Sequence, residues 1–145
     1  MKYIFIILFS FIAMNVFAQI NVDELQERQR ENPKMIMVHF YTNWCSVCKI
    51  QDKQIEKSPI INKFLDDEVY YIKLNAEDEK TMQFNDKTFT SSSLITYYLG
   101  SSRVEFPLWI ILDENYQLKD YYTGLISAKQ FRLLIEKILS SKKTS

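Results

Sequence analysis

The chain has 145 residues, of which 47% are hydrophobic and 14% aromatic, so it is long enough for one domain with a full core. Eighteen basic side chains balance eighteen acidic ones, which gives no electrostatic reason to expect binding to nucleic acid or to an acidic membrane surface. With two glycines and three prolines, the composition excludes a collagenous or linker-rich chain.

The first 18 residues have the pattern of a secretory signal peptide. Lys2 supplies a short positive start. The residues from Tyr3 to Val16 are uncharged and rich in Ile, Phe and Leu, and Ala18 ends a cleavage-like triplet. The alternative is an uncleaved membrane anchor through residues 3–18, but a span normally needs roughly 20 apolar residues. We therefore expect cleavage after Ala18 and an exported domain over residues 19–145, without stable membrane insertion after cleavage, in a compartment where disulfides persist.

Apolar periodicity and capping residues predict alternating helices and strands in the first half of the chain. The expected elements are a thin helix from Asn21 to Asn32-Pro33, a strand at Met35–Tyr41, a helix after Cys45 that breaks or kinks at Ser58-Pro59 and continues over Ile60–Leu65, and a strand at Val69–Leu74. The first of these strands is a nearly continuous apolar run, which is typical of a central strand covered on both faces.

The second half of the chain gives further signals of the same kinds. The expected elements are a hairpin within Thr81–Thr90 that turns at Asn85-Asp86, a helix at Ser91–Leu99 ended by Gly100, strands at Phe106–Leu112 and Gln117–Thr123, an amphipathic helix from Ala128 to Ile138 opened by a Ser127/Gln130 capping box, and a frayed tail at residues 140–145. This order predicts one α/β domain with a mixed sheet and helices on both faces.

Cys45 and Cys48 are the two cysteines of the chain, which also has one histidine. A closed zinc site needs four ligands, so we expect no metal. A structural disulfide stabilises a fold mainly by closing a long loop, and a bridge across two intervening residues closes almost none. Redox exchange is therefore the favoured use of the pair, and an inert staple is the alternative.

The expected helix start at Cys45 supports the redox interpretation. The first-turn N–H groups and the positive end of the helix dipole would face its sulfur, which lowers the pKa of a thiol from about 8.5 toward neutrality. Cys45 is then expected to be the exposed attacking sulfur. Cys48, one turn further along, would be the shielded resolving sulfur.

The segment Phe40–Lys49, FYTNWCSVCK, resembles the active-site segment of the thioredoxin superfamily. Lys73-Leu74-Asn75 ends the next strand as in thioredoxins, and Phe106-Pro107 opens the third strand where the family has its cis-proline. The resemblance covers roughly Val22–Leu139. It implies a thioredoxin-like fold, a central mixed β-sheet flanked by helices, with a hairpin-plus-helix insertion at about residues 76–105, before the cis-proline strand.

The resemblance also implies roles for individual residues. Cys45 is similar to the family's nucleophile and Cys48 to its resolving thiol, and the two would form a Cys45–Cys48 disulfide. Trp44 resembles the aromatic residue that flanks the site. Pro107, if cis, would place the backbone of Phe106 beside Cys45 for pairing with an extended substrate segment, whereas the alternative is an ordinary strand-start proline.

His39 and Lys73 each have a functional and a structural interpretation. His39 stands where thioredoxins carry a buried acid, and it is a candidate proton acceptor for Cys48. Its alternative is a buried histidine satisfied by a backbone carbonyl or by Lys73. Lys73 is a candidate for tuning the pKa of the site, or it simply extends to solvent.

The function that the resemblance implies is a periplasmic thiol–disulfide oxidoreductase like those exported in Gram-negative bacteria, acting without a cofactor and as a monomer. Its partners would be client proteins and, for a reductant, a membrane thiol electron donor. Ser46-Val47 is neither the Gly-Pro of thioredoxins nor the Pro-His of strong oxidants, so the direction stays open, with reductant favoured. The alternative is a non-catalytic binding module that docks a partner through the aromatics of the insertion, which are Phe84, Phe89, Tyr97 and Tyr98.

Overall fold

A computed structural model describes residues 20–143, so the predicted signal peptide lies outside the described residues. The elements are α1 Val22–Glu31, β1 Met35–Tyr41, α2 Ser46–Glu56, α3 Pro59–Asp67, β2 Val69–Asn75, β3 Met82–Phe84, β4 Lys87–Phe89, α4 Ser91–Leu99, β5 Leu108–Leu112, β6 Leu118–Thr123 and α5 Ala128–Lys143. Among residues 20–143, no helix has the length and apolar character needed to cross a membrane.

The central sheet has four strands in the order β2-β1-β5-β6. β1 is parallel to β2 and antiparallel to β5, and β5 is antiparallel to β6. The apolar runs of β1 and β5 are buried and lie in the middle of the sheet, whereas β6, with the sequence LKDYYT, is mostly exposed and forms an edge. The predicted mixed sheet is confirmed.

Alternate residues of β1 belong to two separate cores, because successive side chains of a strand point to opposite faces. Val38 and Phe40 pack with α1 and the insertion on one face. Met37 packs with residues of α2, α3 and α5 on the other face, together with Trp109 of β5 and Phe131 of α5. Burial of each large apolar side chain contributes about 1.5–3 kcal/mol. The two cores thereby fix the end of β1, from which the cysteine segment emerges.

The expected hairpin-plus-helix insertion is present between β2 and β5. Asn85 and Asp86 both have positive φ, 51° and 59°, which short polar side chains tolerate best, and they join β3 to β4. Phe84 is only 1% exposed and meets the ring of Tyr116 edge-on at 5.3 Å between centroids. The hairpin is therefore anchored to the main core of its face, and it continues that core rather than forming a separate one.

Several predicted boundaries differ from the structure, most of them by one or two residues, and two of the differences concern the start of β5 and the end of α5. β5 begins at Leu108 rather than Phe106, because Leu108 is the first of these residues that pairs with β1 and with β6. The predicted fraying from residue 140 is wrong for the described part of that tail, since α5 continues to Lys143. The Ser140 hydroxyl donates to the carbonyl of Lys137 at 2.8 Å, and the Lys142 ammonium lies 2.9 Å from a Glu68 carboxylate oxygen, so the last turns are held.

Candidate active site

Cys45 is the N-cap residue of α2, at the point where the chain leaves the sheet. Its backbone is extended, with φ −74° and ψ 99°, and its Sγ accepts a hydrogen bond from the Cys48 N–H at 3.1 Å. The two residues form a disulfide with their Cα atoms 5.3 Å apart. A cysteine sulfur thus takes the place of the oxygen that usually caps a helix, where the N-terminal N–H groups favour negative charge.

Both cysteines are buried in this oxidised state. Cys45 is 5% exposed and Cys48 is 1% exposed, while Ser46 and Val47 between them are exposed. The expectation of an exposed Cys45 is therefore wrong for the disulfide form, because its sulfur is bonded to the buried Cys48 and turned toward the helix end. The expectation of a shielded Cys48 agrees with its burial.

Trp44 and Phe106 come together at the rim of the site. Trp44 is 69% exposed, and its ring meets that of Phe106 edge-on, with centroids 6.3 Å apart and planes at 80°. Its indole N–H donates to a carboxylate oxygen of Glu77 at 2.8 Å. Glu77 lies in the polar loop after β2, and the sequence alone gives no signal for this contact. The bond from Phe106 to Pro107 is cis.

His39 is fully buried in an aromatic stack. Its ring lies flat on that of Trp109, with centroids 4.0 Å apart and planes at 6°, and its Nδ1 is 3.0 Å from the Tyr71 hydroxyl. The expected partner, a backbone carbonyl or Lys73, is therefore replaced by Tyr71. Nε2 has no hydrogen-bond partner among the described residues.

The stack keeps His39 uncharged. Burial, with a smaller contribution from the positive charge of Lys73, lowers the pKa of His39 to about 3. The imidazole is thus neutral at physiological pH, and a base this weak accepts a proton from a thiol poorly. Burial also raises the pKa of Tyr71, followed by the negative charge of Asp52, so its hydroxyl stays protonated.

Lys73 does not extend freely to solvent. Its ammonium lies 2.7 Å from an Asp52 carboxylate oxygen and 4.7 Å from the centroid of the Tyr41 ring. Both side chains of the ion pair are mostly covered, with 22% of Lys73 and 27% of Asp52 exposed. Register places Lys73 directly opposite His39 in the sheet.

Asp52 brings a negative charge to the cysteine side of α2. It lies four residues after Cys48, and side chains at this spacing are neighbours on one helix face. Asp52 is not among the site residues that the sequence predicts. The available signal was an acidic residue at this spacing from the second cysteine, facing a lysine at the end of β2.

The assembled residues provide the elements of dithiol–disulfide exchange. Within residues 20–143 no group of three or more His, Cys, Asp or Glu side chains is placed to hold a metal ion. The site instead combines a sulfur at a helix N-terminus, a second sulfur one turn further along, an aromatic rim and one ion pair.

A family model described as a thioredoxin-like domain matches residues 22–139. The structure is similar to a thioredoxin-fold protein from Helicobacter pylori, at 18% identity over 79% of this chain and 74% of that chain, with a TM-score of 0.69. It is similar to a disulphide isomerase from Xylella fastidiosa Temecula1, at 16% identity over 79% of this chain and 85% of that chain, with a TM-score of 0.58. It is also similar to the C-terminal domain of Neisseria meningitidis DsbD, at 17% identity over 79% of this chain and 90% of that chain, with a TM-score of 0.57. No curated protein sequence matches significantly. The expected fold is thereby confirmed.

Proposed function

The chain belongs to the thioredoxin-like domain family, and from that premise we propose that it is a thiol–disulfide oxidoreductase whose Cys45–Cys48 pair exchanges with disulfides of client proteins. The observation that supports this most directly is the N-cap position of Cys45, whose sulfur accepts the Cys48 N–H at 3.1 Å. Once the disulfide is reduced, the same N–H group and the helix dipole would stabilise a Cys45 thiolate, which is the attacking species in exchange.

In the reducing direction, the Cys45 thiolate attacks one sulfur of a client disulfide. A bond forms between Cys45 and that sulfur, the client S–S bond breaks, and the other client sulfur leaves as a thiolate that takes up a proton. Cys48 then loses its proton and attacks the Cys45 sulfur, which forms the Cys45–Cys48 disulfide and releases the second client thiol. Two electrons pass from the protein to the client, and the reverse sequence oxidises a client dithiol.

The charges around the pair favour the reducing direction. Asp52 lies one helical turn from Cys48, and a negative charge there disfavours a thiolate. His39 is neutral, since its pKa is lowered to about 3 by burial and then by Lys73, so it adds no positive charge. Disfavouring the thiolate stabilises the disulfide relative to the dithiol, which makes the reduced pair a better electron donor. Lys73, bound to Asp52, moderates the effect.

Export to the periplasm is part of the proposal, and it rests on the charge and apolar pattern of residues 1–18. A reductant in that compartment needs a membrane thiol donor to return it to the dithiol state. The mature N-terminus, read by mass spectrometry on protein from the periplasmic fraction, tests this part. A chain that retains Met1 or stays in the cytoplasm contradicts it.

The redox function is tested by trapping. Cys48→Ser keeps the attacking sulfur but removes the resolving one, so we expect mixed disulfides between Cys45 and clients to accumulate on non-reducing gels. Cys45→Ser is the matched control and should accumulate few, because Cys48 is 1% exposed in the oxidised protein. If both variants form no adducts and the wild type does not reduce a small disulfide, the proposal is wrong.

A further inference from the structure

A groove with a volume of about 270 Å³ lies between β6 and α5; leucines and an isoleucine form its apolar part, and Gln130 and Lys137 also line it. Leu125 and Leu133 line it and are 43% and 56% exposed, while Leu134 and Ile126 line it from buried positions. The volume is below the roughly 300–1,000 Å³ typical of pockets that enclose a small ligand. It matches the size of one or two large side chains instead.

Hydrogen bonds connect this groove to both halves of the redox site. The Gly124 N–H, one residue before Leu125, donates to the carbonyl of Pro107 at 2.9 Å. On the other side, the Gln51 side chain accepts from the Ile126 N–H at 2.8 Å and donates to its carbonyl at 3.3 Å. Gln51 is fully buried and lies three residues after Cys48 on α2. The loop from Gly124 to Ile126 is therefore hydrogen-bonded both to Pro107 and to the helix that carries Cys48.

The same region presents an open strand edge. Gly124 and Pro107 form a hydrogen-bonded pair, and such pairs alternate with non-bonded ones along an antiparallel ladder. Thr123, opposite Leu108, therefore directs its N–H and carbonyl away from β5. Further along β6, the Asp120 carboxylate accepts from the Tyr121 N–H at 2.9 Å and occupies that part of the edge. The free part of the edge is the end nearest Pro107.

We propose that the groove between β6 and α5 is a docking subsite that takes a large apolar side chain from an extended client segment, a few residues from the client cysteine; this rests on the proposed redox function. The open edge at Thr123 suits an extended backbone, which can add to it as a strand. The exposed Leu125 and Leu133 suit an apolar side chain. The link through Gly124 to Pro107 ties this edge to the residue after Phe106, whose ring meets Trp44 at the rim of the site, and two extended residues span only about 7 Å.

The test uses peptides that carry one cysteine as a mixed disulfide with coloured thionitrobenzoate. In one reference peptide the flanking residues are serine, and in the others a single leucine replaces serine at successive positions on either side. We expect the reduced wild type to show a kcat/KM about tenfold higher for the best leucine peptide than for the serine peptide. Leu133→Lys should abolish this preference, because it replaces an exposed apolar side chain of the groove by a second ammonium group beside Lys137, without removing a buried side chain.

Ile60→Lys is the matched control, since Ile60 is 59% exposed on α3 and lies outside the groove. It should keep the preference for leucine. Equal rates for all peptides, or a preference that survives in Leu133→Lys, overturn the proposal. A wild type that is dimeric by light scattering, together with a monomeric Leu133→Lys variant, also overturns the proposal, because the groove would then join two copies of the chain. Failure of the redox function itself is distinct, since the wild type would then release no thionitrobenzoate from dithiobis-nitrobenzoate.

Discussion

Asp52→Asn removes a negative charge one helical turn from the resolving sulfur. We expect it to lower the pKa of the Cys48 thiol by about one unit, because the thiolate no longer forms beside a carboxylate while the Lys73 ammonium remains. Lys73→Met leaves the carboxylate without its ion-pair partner and should move the pKa in the opposite direction.

The magnitude follows from helix geometry. Side chains four residues apart have Cβ atoms about 5–6 Å apart, and two unit charges at 6 Å interact by about 2.8 kcal/mol at an effective dielectric constant of 20. The Asp52 side chain is 27% exposed, so solvent and salt screen about half of this energy. The remaining 1.4 kcal/mol or so corresponds to about one pKa unit. Above the thiol pKa it also corresponds to a rise of up to about 30 mV in the reduction potential.

The assay follows thiolate absorbance in the ultraviolet as a function of pH. A Cys45→Ser background makes Cys48 the single thiol, and the variant without either cysteine supplies the tyrosine baseline. Asp67→Asn is the matched control, because Asp67 forms a short ion pair with Lys63 at 2.6 Å on the exposed side of α3. It removes the same charge away from the cysteine face of α2.

An unchanged Cys48 pKa in Asp52→Asn would refute the electrostatic reasoning. So would an equal shift in Asp67→Asn, which would mean that overall charge rather than position matters. A shift of the same sign in Asp52→Asn and Lys73→Met would show that loss of the ion pair, and not the sign of the remaining charge, governs the thiol.

Other predictions concern the buried stack, the insertion and the rim. Because burial and then Lys73 lower the pKa of His39 from 6.5 to about 3 on folding, the unfolded chain binds the extra proton between these values; the free energy of unfolding should fall by about 1.4 kcal/mol per unit as pH drops through this window. In urea titrations across this pH window, the free energy of unfolding should change less with pH for His39→Phe than for the wild type. An equal pH dependence of the two proteins contradicts the assignment. Phe84→Ala should lower the unfolding free energy by about 3–5 kcal/mol, against less than about 1 kcal/mol for the half-exposed Tyr97→Ala, and both should retain exchange with dithiobis-nitrobenzoate. Trp44→Ala should lower kcat/KM for peptide disulfides about fivefold with little change in the urea midpoint, and an unchanged rate would show that the rim does not contact clients.

The elements that the sequence predicts well are those with strong local signals. Met35–Tyr41 is an apolar run too long and continuous for an edge strand, and it forms the buried β1. Ala128 and the apolar residues after it recur at helical spacing and form α5. The pair of cysteines directly after β1 likewise identifies the start of α2, where Cys45 is the N-cap.

The ion pair and the aromatic stack depend on contacts between strands and helices, so the sequence does not predict them. Asp52 lies among polar and charged residues of α2 that are typical of a solvated helix face. Only the folded structure shows which side chains meet: His39 lies opposite Trp109 across β1 and β5, and α2 brings Asp52 to the ammonium of Lys73 on β2. The stack also accounts for the partner of His39, because Tyr71 reaches it from β2.

Because β1 carries His39 at this position, the carboxylate of this site is supplied by another element. A buried acid at that position, as in thioredoxins, would place a negative charge under the cysteines from the sheet. Here the sheet contributes a neutral imidazole, packed flat on Trp109 at 4.0 Å, and the carboxylate comes from Asp52 on α2. Asp52 and Lys73 lie outside the two apolar cores, with 27% and 22% of their side chains exposed, so we expect a change in this ion pair to alter the thiols while the core beneath the disulfide keeps its packing. We therefore expect Asp52→Asn and Lys73→Met to change the reactivity of the cysteines more than the stability of the fold.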